Sequence, residues 1–233
     1  MTRTLAEAAA EAAGCTRCGL AEGRTQVVYG VGSPDAGLMF IGEAPGFHED
    51  RKGEPFVGAA GQLLTRALGE IGLAREDVYI ANILKCRPPG NRDPLPAEIE
   101  ACTPWLVEQV SLIQPTLLVT LGNFATKFVL QTQRGITSMR GAVYDWHGRA
   151  VIPTFHPAAI LHGGGEKSRQ FQDFRADFEL ISETLARVPR GALETAPGRE
   201  PPGPASPALA SPASPPDPQP AVPDTSDEQL ELF

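Results

Sequence analysis

The chain has 233 residues, 42% of them hydrophobic, which suffices for one domain with a sizeable core and some length to spare. No apolar run is long enough to cross a bilayer, so a helical membrane protein is excluded. The net charge of −8 excludes a uniformly basic chain, but residues 191–233 hold seven acids and one base, leaving 21 acids and 19 bases elsewhere; that nearly neutral body can carry a local basic face.

The N-terminal stretch MTRTLAEAAAEAAGCTRC is interrupted by Glu7 and Glu11 and lacks the apolar segment of a secretory signal. An intracellular, reducing setting is expected, where cysteines serve as metal ligands more readily than as disulfides. Cys15 and Cys18 form a C-x-x-C pair. The glycine-rich GVGSPDAG that follows precedes a strand where a dinucleotide-binding loop would follow one, so it reads as a turn.

Four apolar, β-branched-rich runs predict strands over residues 38–42, 78–84, 116–121 and 150–155. Helical patterns over 58–71, 96–113, 123–130 and 167–188 separate or follow them. The segment VYDWHGRAVI predicts a hairpin turning at His147 and Gly148 into the last strand. Strands alternating with helices imply a parallel sheet covered on both faces. From Ala196 the chain is a Pro/Ala/Ser tract with too little apolar surface to offset its ordering entropy. The expected organisation is a folded domain over 1–190, a disordered linker over 191–228 and a terminal peptide over 229–233.

Each predicted strand runs into a polar, Gly- or Pro-bearing segment: GEAPG, KCRPPGN, GN and HPAAIL. Those segments collect at the carboxyl edge of the sheet, where open α/β folds bind ligands. Cys86 and Cys102 flank the second of them and, with Cys15 and Cys18, account for every cysteine. Zinc more often uses two C-x-x-C knuckles, whereas an iron–sulfur cluster tolerates irregular spacing. Spacing alone leaves the two open, beside the plainer reading of four unrelated buried thiols.

Taken together, C-x-x-C, GEAPG, GEPFVGAAGQLL, VYIANILKCRPPGNRDP, the cysteine at 102 and FHPAAIL resemble the family 4 uracil-DNA glycosylases, over residues 15–185. The resemblance implies a three-layer α/β/α sandwich around a four-stranded parallel sheet. It implies a [4Fe–4S] cluster on Cys15, Cys18, Cys86 and Cys102. It further implies excision of uracil from single- or double-stranded DNA by hydrolysis of the N-glycosidic bond, leaving an abasic site.

Such an enzyme flips its target nucleotide into a pocket. Phe56 is expected to stack on the base, and Asn82, a polar residue inside a strand, to read its O4 and N3–H edge. His156 is placed to meet negative charge developing at O2. Related glycosylases carry aspartate where this sequence has alanine in Gly-Glu-Ala-Pro, so Glu43, with Glu49 as a second carboxylate, is expected to position the water. Gly42 and Ala44 let the backbone approach the substrate closely. Ile160 or Leu161 offers an apolar wedge for the vacated stack, and Lys167 and Arg169 suit phosphates, with Lys85, Arg87 and Arg92 extending that face. A covalent uracil-DNA binder would need a histidine in a basic insert near RPPGNRDP, which is absent, and a scaffold with a degenerate pocket would not need these polar residues.

The last residues resemble the bacterial sliding-clamp-binding motif through Gln229, Leu230, Leu232 and Phe233. A linker of this length reaches roughly 30–35 Å on average. The expected protein is a monomer in the bacterial cytoplasm, acting at the nucleoid with no membrane partner.

Overall fold

The run Leu-Met-Phe-Ile-Gly at 38–42 is buried along its whole length, as a strand covered on both faces must be. Its neighbours follow from the same logic, and the computed structural model describes residues 3–187. In chain order these hold α1 (Leu5–Ala13), α2 (Leu20–Gly23), β1 (Val31–Gly32), β2 (Leu38–Gly42), α3 (Phe47–Lys52) and α4 (Ala59–Glu70). Next come β3 (Tyr79–Asn82), α5 (Pro96–Ile113), β4 (Leu117–Leu121), α6 (Gly122–Leu130) and α7 (Ile136–Met139). The described chain closes with β5 (Tyr144–Trp146), β6 (Arg149–Thr154), α8 (Pro157–His162) and α9 (Arg169–Arg187).

The sheet order is β1-β3-β2-β4-β6-β5. β3, β2, β4 and β6 are mutually parallel, as expected. The sheet as a whole is mixed, because β1 and β5 add antiparallel edges. β5 is the first arm of the expected hairpin, whose turn places His147 at φ 52°. β1 lies inside the glycine-rich segment, where a two-residue strand has too little sequence to announce itself.

Alternation along β2 divides the core. Leu38 and Phe40 face Leu63, Leu64 and Leu68 of α4 and Phe174 and Phe178 of α9. Met39 and Ile41 face Leu106 and Val110 of α5 and Ala125 of α6. Period-two burial on both sides makes the three-layer α/β/α sandwich. A third cluster packs Ala8 and Ala12 of α1 and Leu20 of α2 against Trp105 of α5, beside Cys86 and Cys102.

Candidate active site

β2 and β3 end side by side, with Gly42 paired to Asn82 in register. A Cβ on Gly42 would overlap the Asn82 Oδ1 atom and stand 2.8 Å from the Phe56 ring. The absence of a side chain there lets the amide and the ring share one corner. Asn82 is 2% exposed, and among the described residues its side-chain amide forms no hydrogen bond. An amide without a protein partner that lines a cleft keeps its donor and acceptor available to whatever enters it.

Phe56 adopts φ 54°, a region that bulky residues avoid. Its ring lies 5.5 Å from the His156 ring, tilted by 34°. His156 follows β6 and caps α8, its Nδ1 accepting the Ala158 N–H at 3.2 Å. Accepting at Nδ1 leaves the proton of a neutral imidazole on Nε2, free to donate. Burial depresses its pKa to about 4, against a smaller opposing pull from Glu49, so the ring is neutral at physiological pH. Gly122, at φ 88°, passes under it where a Cβ would come within 3.0 Å of the His156 Cβ.

These groups line a cleft of about 370 Å³ at the carboxyl edge of the sheet, together with Glu43, Ala44 and Glu49. Glu43 has no side-chain hydrogen bond among the described residues, and burial, then Asp93, push its carboxyl above the usual range. Glu49 is committed differently: its Oε1 accepts the N–H groups of Val57 and Gly58 at 3.0 and 3.2 Å. Pro88, Asn91 and Arg92 complete the rim from the loop after β3. Pro88 and Asn91 were not singled out in the sequence, where they read as ordinary turn residues.

Several expected positions stand apart. Ile160 is 0% exposed within the core and cannot serve as a wedge, because helical spacing in α8 turns it inward; Leu161, the alternative, is 36% exposed. Lys85 is 1% exposed and contributes nothing to a basic face. Its Nζ donates to the Asn82 carbonyl and to Gln109 Oε1, both at 2.6 Å, and burial lowers its pKa to about 8. It supports the strand carrying Asn82 from beneath. Arg92 pairs with Glu98 at 2.6 Å. Lys167 and Arg169 are exposed beside Leu161, and neither forms an ion pair among the described residues. His48, His147 and His162 are exposed, away from the chemistry expected of His156.

Cys15, Cys18, Cys86 and Cys102 all line a second, small cavity, of about 10 Å³. Three N–H donors point at its sulfurs: the Lys85 amide to Cys102 at 3.2 Å, Arg24 to Cys86 at 3.5 Å and Trp105 Nε1 to Cys15 at 3.4 Å. Among the described residues no three His, Cys, Asp or Glu side chains are gathered tightly enough to hold a single metal ion. The expected clamp-binding residues Gln229, Leu230, Leu232 and Phe233 lie outside the described residues.

The family model described as the Uracil DNA glycosylase superfamily matches residues 29–179. A type-4 uracil-DNA glycosylase of Archaeoglobus fulgidus is 45% identical over 181 residues, covering 74% of this chain and 89% of the relative. One from Thermotoga maritima is 48% identical over 67% of this chain and 82% of its own length. A type-5 uracil-DNA glycosylase of Pyrobaculum aerophilum is 32% identical over 71% of this chain and 74% of its own.

Proposed function

The chain belongs to the uracil-DNA glycosylase superfamily, with its higher identities to type-4 members, and from that premise we infer how its cleft performs the reaction. The protein is a monofunctional DNA glycosylase that excises uracil by hydrolysing the N-glycosidic bond. The unpartnered Asn82 amide is the observation that carries the site assignment. Its donor and acceptor match uracil O4 and N3–H and mismatch cytosine. Phe56 stacks on the flipped base, a contact sensitive to its ring orientation.

As the glycosidic bond breaks, negative charge moves onto uracil and positive charge onto the sugar. Neutral His156 donates from Nε2 to the developing anion at O2, a contact that strengthens only as the charge appears. Glu43 holds the attacking water, and its raised pKa makes it a better proton acceptor than an ordinary surface carboxylate. Glu49 acts on the loop that carries Phe56 and walls the base pocket. Leu161 fills the vacated stack while Lys167 and Arg169 contact phosphates.

The cysteine cavity fits an iron–sulfur cluster better than one zinc ion. Four thiolates 2.3 Å from one zinc would stand within about 4 Å of each other, and among the described residues no three such side chains gather closely enough to hold one ion. The N–H donors aimed at three of the sulfurs suit thiolate ligands. Cys15, Cys18, Cys86 and Cys102 would hold a [4Fe–4S] cluster, whose chemistry here is structural, pinning α1 and α2 to the loop after β3. Iron and inorganic sulfide assays on the purified protein test this, and zinc without iron would overturn it.

The 191–228 stretch serves as a linker presenting the 229–233 peptide to a bacterial sliding clamp, from a monomeric enzyme in the cytoplasm. Removing 229–233 abolishes capture by immobilised clamp and spares excision on short oligonucleotides; retained capture would refute this role. The activity itself is read from an end-labelled oligonucleotide bearing one uracil. Strand breaks appear only after alkali, and Asn82→Ala lowers kcat/KM at least 100-fold. An Asn82→Ala enzyme of full activity would sink the site assignment.

A further inference from the structure

Phe56 lines two cavities at once. One is the cleft just described. The other, of about 460 Å³, lies behind the same loop and is walled by Lys52, Glu54, Gln62, Arg66 and Arg75. The Phe56 ring is packed in the core and 7% exposed, but its φ of 54° strains the backbone that carries it. That backbone needs contacts of its own to keep its conformation.

Three contacts do so. Glu49 accepts the N–H groups of Val57 and Gly58 on one side. α4 presses Gly61 against the Phe56 carbonyl, leaving no place for a Cβ. Arg75, from the short helical turn Arg75–Asp77 before β3, donates from Nη2 to the Pro55 carbonyl. The first two contacts come from the loop's own flanking helices. Arg75 ties the loop backbone to a more distant part of the chain, beside the packing of the Phe56 ring in the core.

Arg75 is also poorly satisfied otherwise. Its Nη1 is buried with no hydrogen-bond partner, and no carboxylate pairs with it among the described residues. Half-burial lowers the pKa of this guanidinium, and the opposing attraction of Glu54, Glu76 and Glu49 does not fully offset that loss of solvation. Its placement makes sense if the carbonyl must be held still.

We propose that Arg75 is a positioning residue for uracil recognition: its hydrogen bond to the Pro55 carbonyl keeps the Phe56 ring at stacking distance and prevents the loop from relaxing into the cavity behind it. The inference rests on Phe56 as the stacking residue. Arg75→Ala and Arg75→Met, which keeps the apolar stem without the donors, are compared with Phe56→Ala by inhibition with free uracil, by affinity for uracil-free duplex and by thermal melting.

Both Arg75 variants weaken uracil inhibition about tenfold, leave affinity for uracil-free DNA within twofold, and raise KM more than they lower kcat. Added guanidinium ion restores part of the loss in Arg75→Ala, whose vacated space it can enter. Should that variant not fold, Arg75→Met decides alone. Unchanged uracil inhibition in the folded Arg75 variants, with Phe56→Ala impaired, overturns the proposal and spares the Phe56 reading. Unchanged inhibition in Phe56→Ala overturns both. An equal loss of affinity for uracil-free DNA would make Arg75 a DNA contact and overturn it as well.

Discussion

The corner where Gly42, Asn82 and Phe56 meet shows how one missing methyl group organises a site. Any side chain at 42 would displace either the amide or the ring. His156 adds a second constraint, because capping α8 through Nδ1 fixes which nitrogen carries its proton. Its folded pKa of about 4 lies below the ordinary 6.5, so the unfolded chain binds this proton first. Its contribution to stability is therefore full above about pH 6.5 and falls as pH drops toward 4. The same shift predicts that kcat shows no inflection from His156 between pH 8 and 5. A profile falling with an apparent pKa near 6.5, lost in His156→Ala, would contradict the neutral donor. His156→Ala itself should lower kcat by about 10²–10³ at pH 7.5, the range for one lost donor.

At the scale of elements, the strands and long helices were legible because their apolar residues repeat with the period of the structure they form. α5 begins at the expected proline and ends at the expected isoleucine. α3 was not legible: its six residues, FHEDRK, carry no apolar periodicity, and the one buried among them is Asp50, whose carboxylate accepts the Thr25 N–H. Lys85 and Ile160 were misplaced for related reasons. A lysine reads as surface until its acceptors are known, and two adjacent apolar residues in a short helix give no hint of which turns inward. Asn82 and Phe56 stood out because each is chemically out of place in its segment. Arg75 carried no such signal, since only the folded loop reveals the carbonyl it binds. The contact of α4 with that loop gives an element-scale prediction. Gly61→Ala, which forces α4 away from the Phe56 carbonyl, should cost about 1–3 kcal/mol in denaturant unfolding and raise KM for uracil-DNA. Full stability with normal KM would show the loop to be slack.

At the scale of the whole molecule, the cysteine cavity and the cleft at the sheet edge sit at opposite ends of one connection. Lys85 donates its amide N–H to Cys102 and its ammonium to the Asn82 carbonyl, so the cysteine site and the strand carrying Asn82 share a residue. Cys102→Ser should strip bound iron and expose the first two helices to protease, since the small cluster of Ala8, Ala12 and Leu20 on Trp105 then carries most of their attachment. An iron-free variant whose N-terminal segment resists proteolysis as well as the parent would show that packing to be sufficient.

Trp105 gives that event an optical signature. The chain has two tryptophans. One sends its indole N–H to Cys15 and receives the Arg17 guanidinium 4.4 Å from its ring; the other, Trp146, lies on the far edge strand of the sheet. An iron chromophore at the cysteines would absorb the emission of the near indole and leave the far one bright. Ultraviolet fluorescence would then count the loaded fraction of a preparation directly, without breaking the protein open.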